Sequence, residues 1–211
     1  MNLIRALKSI IKRPSAVMAP QLPLLGECTL FVSDICGFDT VDGMDPESLA
    51  RLMNQTFQSF NRTIVEAGGF IVSTIGDATI AIWDASHVAP SHAELAINCG
   101  QAILQQRQKA QSEGGICSCL GILIATGKMT GAMIGGHLQF VGDPWITIKR
   151  LESFKISGRS QMFYTSKTLA HLTTQETPKP IGRIKEVGGN DAKVQTWLMF
   201  LLMWVEGVLL S

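Results

Sequence analysis

Two β-favouring runs, 70–74 and 78–83, are broken by Gly76 and Asp77, and a helix-patterned segment lies on each side of the pair. That signal is a hairpin, which makes the two runs antiparallel neighbours. Before it, Asp45 and Pro46 form a helix start, an N-cap acid followed by proline at the first helical position. Leu49, Leu52, Met53, Phe57, Phe60 and Ile64 then recur at helical spacing until Gly68 and Gly69 stop the helix. After the hairpin, Ser91 with Glu94 reads as a capping box opening a helix along Leu95, Ala96, Cys99 and Ile103. A short apolar run at 28–33 supplies a strand before the first helix, and 116–125, bounded by Gly114, Gly115 and Gly127, supplies one after the second. The order β-α-β-β-α-β is the split ferredoxin-like unit of an α+β fold. Beyond it, Asp143 and Pro144 begin another helix, and 162–164 and 194–198 read as later strands.

The 211 residues suit one domain with a short extension at each end: an amphipathic segment and linker at 1–26, a core at 27–198 and an apolar tail at 199–211. A formal net charge of +1 argues against a nucleic-acid binder, which carries a basic excess. Five cysteines without a CxxC pair or framework spacing read as small buried hydrophobes of a reducing compartment, the cytoplasm. No secretory signal is visible. Leu3, Ile4, Leu7, Ile10 and Ile11 share one helical face, a surface for the domain itself, a second subunit or an anionic membrane. The apolar run 197–210 is interrupted by Glu206 and is shorter than the roughly 20 residues of a spanning helix.

Asp34 ends the first strand and Asp77 lies in the hairpin. Where those strands are neighbours, both carboxylates project from one edge of one sheet and offer hard oxygen ligands to Mg²⁺ or Mn²⁺. Gly37 would let backbone N–H groups approach a triphosphate closely. Taken singly, each aspartate is also an ordinary turn or strand-end residue.

The whole pattern is more specific. The segment 29–38, with Asp34, Ile35, Gly37 and Phe38, resembles the first metal motif of class III adenylyl and guanylyl cyclases, and 73–78 resembles the second. The stretch 121–128 with Gly131 and Gly135 is similar to the family's following segment, and 140–152 to the stretch that carries its transition-state arginine. The likeness runs in unbroken order from about residue 27 to 198. It implies a homodimer with composite sites and two divalent metal ions, Mg²⁺ or Mn²⁺, with Asp34, Ile35 and Asp77 as the metal-site residues. It also implies Arg150 as the catalytic, transition-state arginine, with Gly37, Phe38, Ser73, Lys128 and Gln139 as substrate-binding positions. The substrate would be a nucleoside triphosphate and the product a 3′,5′-cyclic nucleotide, adenylate by default.

The departures lie in base and phosphate recognition. Ser73 stands where adenylyl cyclases carry Lys and guanylyl cyclases Glu, and Gln139 where the family carries Asp or Cys. Ile146 replaces an expected asparagine, and Val187, with Lys185 nearby, replaces a phosphate-binding lysine. Guanylate and pyrimidine cyclisation are therefore alternatives, as is a catalytically weak pseudocyclase that binds nucleotide or only dimerises. The Gly-Gly-acidic-acidic-Phe signature of diguanylate cyclases is absent.

Overall fold

The computed structural model describes residues 26–36, 44–86, 90–112, 119–134, 137–155, 159–173, 179–185 and 191–197. Expectations placed on Gly37, Phe38, Val187, the N-terminal segment and the C-terminal tail fall outside these residues. Strand β1 (Gly26–Cys36) is followed by α1 (Pro46–Glu66), β2 (Phe70–Ile75), β3 (Ala78–Asp84), α2 (His92–Ser112) and β4 (Cys119–Ile134). Then come β5 (His137–Gly142), α3 (Asp143–Leu151), a 3₁₀ turn at Glu152–Phe154, β6 (Gln161–Thr165), the short α4 (Ser166–Leu169), β7 (Lys179–Lys185) and β8 (Asp191–Trp197).

The expected β-α-β-β-α-β unit is present as one continuous sheet. Its strand order is β2-β3-β1-β4-β6-β8-β7, with β5 pairing β4 outside that path. Strand β1 is central, antiparallel to both β3 and β4, so each long helix carries the chain over one intervening strand.

Local chemistry explains the boundaries. Asp45 accepts hydrogen bonds from the N–H groups of Glu47 and Ser48, capping α1, and Pro46 fills the first turn where no donor is needed. Ser91 accepts from the Glu94 N–H as a capping box requires, but the Glu94 carboxylate takes bonds from the main chain and hydroxyl of Thr173 instead of turning back. Strand β4 runs well past Gly127, where the sequence suggested a stop. That glycine marks a close approach: a Cβ there would lie 3.1 Å from Cδ of Pro144 at the start of α3.

Alternation along β1 divides the core. Phe31 and Ile35 join Phe60, Ile64, Ile97 and Ile103 beneath α1 and α2. Leu30 and Val32 point to the other face, where Ile148 and Leu151 of α3 cover Ile80, Leu123 and Ala125. The same parity places Asp34 on the α3 face, at the end of the strand. Among the described residues no helix is long and apolar enough to cross a membrane.

Candidate active site

Asp34 has Ala78 as its register partner on β3 and Gly121 on β4. Ala78 directly follows Asp77, and the Ile35 N–H donates to the Asp77 carbonyl at 3.3 Å. The hairpin turn is thereby fastened to the end of β1, and the two carboxylates share one corner of the sheet. Burial raises the Asp77 carboxyl above its ordinary range, and the like charge of Asp34 adds to the rise. Such a corner favours an added cation.

Among the described residues no three His, Cys, Asp or Glu side chains converge on a metal position. Asp34 and Asp77 therefore provide two carboxylates and leave further ligands to main-chain, water or substrate oxygens. That donor set fits Mg²⁺ or Mn²⁺, which keep water and bind with phosphate, and does not fit a structural zinc site.

One cation beside this corner was not anticipated. Nζ of Lys155 lies 2.6 Å from Oδ2 of Asp34, with both side chains about a quarter exposed (21% and 31%). The residue follows the 3₁₀ turn, and its stem passes over Gly121, where a Cβ would lie 3.3 Å from Cδ and Cε of the lysine. The only sequence cue is a lysine shortly after an expected helix, which has no meaning until the register of β1 and β4 is known.

The other expected positions are spread over the chain. Arg150 is half-buried in the last turn of α3, its Nη1 buried with no hydrogen-bond partner among the described residues. Ile146, one turn earlier and on the same helix face, is 47% exposed. Ser73 is half-buried on β2, beside the irregularity between Ile71 and Ser73, and Gln139 is exposed on β5 opposite Ala132.

Lys128 is exposed opposite Glu27, seven register positions from the Asp34–Gly121 pair, about 23 Å away at about 3.3 Å per residue. Glu27 is itself engaged by Lys167 at 3.2 Å and by His171 at 3.6 Å. Lys128 borders a cavity of about 530 Å³ with Met129, Thr130 and Val141, at the end of the sheet remote from the carboxylates. In one chain the structure thus brings together Asp34, Ile35 and Asp77, adds Lys155, and sets Lys128 apart.

The fold that carries this corner is that of a known family. The family model "Adenylate and Guanylate cyclase catalytic domain" matches residues 21–199, and the chain belongs to that family, the class III nucleotidyl cyclases. It is 25% identical over 175 residues to adenylate cyclase 1 of Rhizobium meliloti, covering 79% of this chain and 26% of that protein. It is 25% identical over 179 residues to a membrane guanylyl cyclase of Dictyostelium discoideum, covering 81% of this chain and 12% of that protein. An adenylate cyclase of Anabaena cylindrica is 24% identical over 181 residues, 80% of this chain and 36% of the relative. The chain therefore spans little more than a third, at most, of these relatives' lengths. Among solved structures, the adenylyl cyclase CyaB from P. aeruginosa superposes with a TM-score of 0.71 at 21% identity, covering 83% of this chain and 96% of that one. The guanylate cyclase domain of RhGC from Catenaria anguillulae, in complex with GTP, gives 0.69 at 22% identity, covering 81% and 95%. Both likenesses speak to the fold.

Proposed function

We propose that this domain converts a nucleoside triphosphate to a 3′,5′-cyclic nucleotide and pyrophosphate, with adenylate as the default substrate. The observation that carries the reading is the pairing of Asp34 and Asp77 at one sheet corner, held by the bond from Ile35 to the Asp77 carbonyl. Two divalent cations bound there would acidify the 3′-hydroxyl and offset charge on the phosphates. The 3′-oxygen gives its proton to water and bonds to the α-phosphorus, the bond to the bridging oxygen breaks, and pyrophosphate leaves. Arg150 has a guanidinium nitrogen without a hydrogen-bond partner among the described residues, suited to the charge that builds on the phosphate.

The site is composite in this reading. Lys128 is about 23 Å along the ladder from Asp34, so it serves that carboxylate pair only from a second chain. A surface for that chain is available. Among the described residues, β4 beyond Met129 pairs only with β5, and this two-stranded arm exposes Met133, Ile134, Leu138 and Val141. Apolar groups gathered on a projecting hairpin suit a subunit contact. Buried, free Cys28 and Cys99 suit the reducing cytoplasm, and membrane contact by the terminal segments is a separate proposal that vesicle flotation tests.

Base choice rests on Ser73 and Gln139, neutral groups that donate or accept, and guanylate or pyrimidine substrates stay within reach of them. Exposed Ile146, which makes no hydrogen bond on the helix face of Arg150, favours a second reading, a weakly catalytic nucleotide-binding module. Incubating the purified protein with Mn²⁺ and each of the four ribonucleoside triphosphates separates the two. A cyclic product identified by mass supports the cyclase; nucleotide binding without product supports the module.

A further inference from the structure

We propose that Lys155 is a tethered counter-ion of the carboxylate pair, so that a divalent metal reaches Asp34 only by displacing it. The inference rests on the metal-dependent reading of Asp34 and Asp77. Three observations carry it. The ammonium lies 2.6 Å from Asp34 Oδ2, one of the two oxygens that this carboxylate offers a metal. The lysine stem occupies the gap above Gly121, the register partner of Asp34, so the approach is set by packing and not by a freely moving surface chain. Gly121 is itself buried, and a side chain there would press on the lysine carbons at 3.3 Å.

The charge balance follows from this placement. Two carboxylates in one corner repel each other and bind a cation to relieve it. With Lys155 seated, one charge is already neutralised, and an entering ion gains less from Asp34 than it would from a free carboxylate. The ammonium must also leave a charge-assisted hydrogen bond. Metal loading is therefore weaker than two bare carboxylates would give, and it rearranges Lys155.

The test is a Mn²⁺ titration without nucleotide, following free Mn²⁺ by electron paramagnetic resonance. The proteins are the wild type, Lys155→Met, which keeps the stem without the charge, and Lys155→Arg, which keeps a charge. Lys155→Met has no charge-assisted hydrogen bond to give up when the metal enters, so it should bind Mn²⁺ about tenfold more tightly. Lys155→Arg should stay near wild type, and adding Asp77→Asn to Lys155→Met should remove the gain. A second measurement needs no variant. Acetic anhydride labelling of wild-type Lys155, read by mass, should rise severalfold when Mn²⁺ is added. Equal Mn²⁺ affinity in wild type and Lys155→Met, or labelling unchanged by bound Mn²⁺, overturns the inference while leaving the metal site standing. Absence of Mn²⁺ binding by every protein, even with a non-hydrolysable triphosphate, removes the metal reading and this inference with it.

Discussion

Asp34 and Gly121 are register partners on adjacent strands, and the stem of Lys155 crosses over Gly121 to bring its ammonium against Asp34. A second glycine on the same face of β4, Gly127, admits Pro144 in the same way. Two absent side chains six residues apart thus seat both ends of the segment that runs from the start of α3 to Lys155. The helix carrying Arg150 is positioned from the sheet beneath it.

The carboxylates are expected to matter for turnover and not for folding. Asp77→Asn should lower cyclase activity at least about a hundredfold, the scale of losing one charge-stabilising group. In chelator the same substitution should raise the melting temperature, since it removes a like charge beside Asp34 from a site where burial and that charge already disfavour ionisation. Activity assays and thermal melts with and without Mn²⁺ check both. Undiminished turnover would end the metal account.

Assembly is tested by complementation. Asp77→Ala and Arg150→Ala chains should each be inactive alone, because every composite site lacks one group. Mixed heterodimers would hold one site with both groups intact and should recover part of the activity. Heterodimers verified by native mass spectrometry, yet inactive, would place the catalytic groups on one chain.

The seating of α3 is tested at Gly127. A Cβ there already meets Pro144 Cδ at 3.1 Å and Cγ at 3.3 Å, so Gly127→Val overpacks the contact. The expected loss is about 1–3 kcal/mol, seen as a lower urea midpoint at unchanged slope. Turnover should fall further than stability accounts for, because α3 carries Arg150. A variant as stable and active as wild type would show that α3 is not fixed by this contact.

Much of this was legible in the sequence, for reasons that can be named. Asp45, Pro46 and the glycine pair after α1 act through local chemistry, and Asp34 and Asp77 fall at strand ends that alternation and a turn already define. Lys155 was not legible because its role depends on the register that sets Gly121 beside Asp34. Gly127 misled, since glycine reads as punctuation unless the close approach of another segment is known. Strand β5 ends in Gly142, and β7 contains Pro180 and Gly182, where its pairing with β8 shifts, so neither shows a clean alternating run.

The thiols give a pH prediction independent of the site. Burial pushes Cys99 up to about 12, and burial together with the charges of Asp84 and Glu27 pushes Cys28 up to about 11. A raised thiol value means less thiolate at any given pH, so both should resist iodoacetamide near pH 8 in the folded protein and react on denaturation. Any labelling of these two thiols in the folded state, located by mass, should climb about tenfold per pH unit up to pH 10 without levelling, as expected for a reaction limited by thiolate fraction. A plateau near pH 9 would show thiols of ordinary acidity, and hence a more open structure around these two residues.

The proposed reading of the base by Ser73 and Gln139, two neutral side chains, predicts the degree of selectivity. A fixed charge at either position would be left unpaired before the wrong base, and that cost is what produces strong rejection. A hydroxyl and a side-chain amide both donate and accept, so each can rearrange to meet a different base edge. Gln139 is also exposed on β5, where it is free to reorient. Discrimination built from such contacts should amount to about 1–2 kcal/mol, or roughly tenfold between triphosphates. More than one nucleotide should therefore be turned over, and Gln139→Ala should change the ratio of kcat/KM values more than their sum. Competition assays with paired triphosphates, read by product mass, measure this ratio directly. A preference above about a thousandfold for one base would mean that side chains other than these two read it.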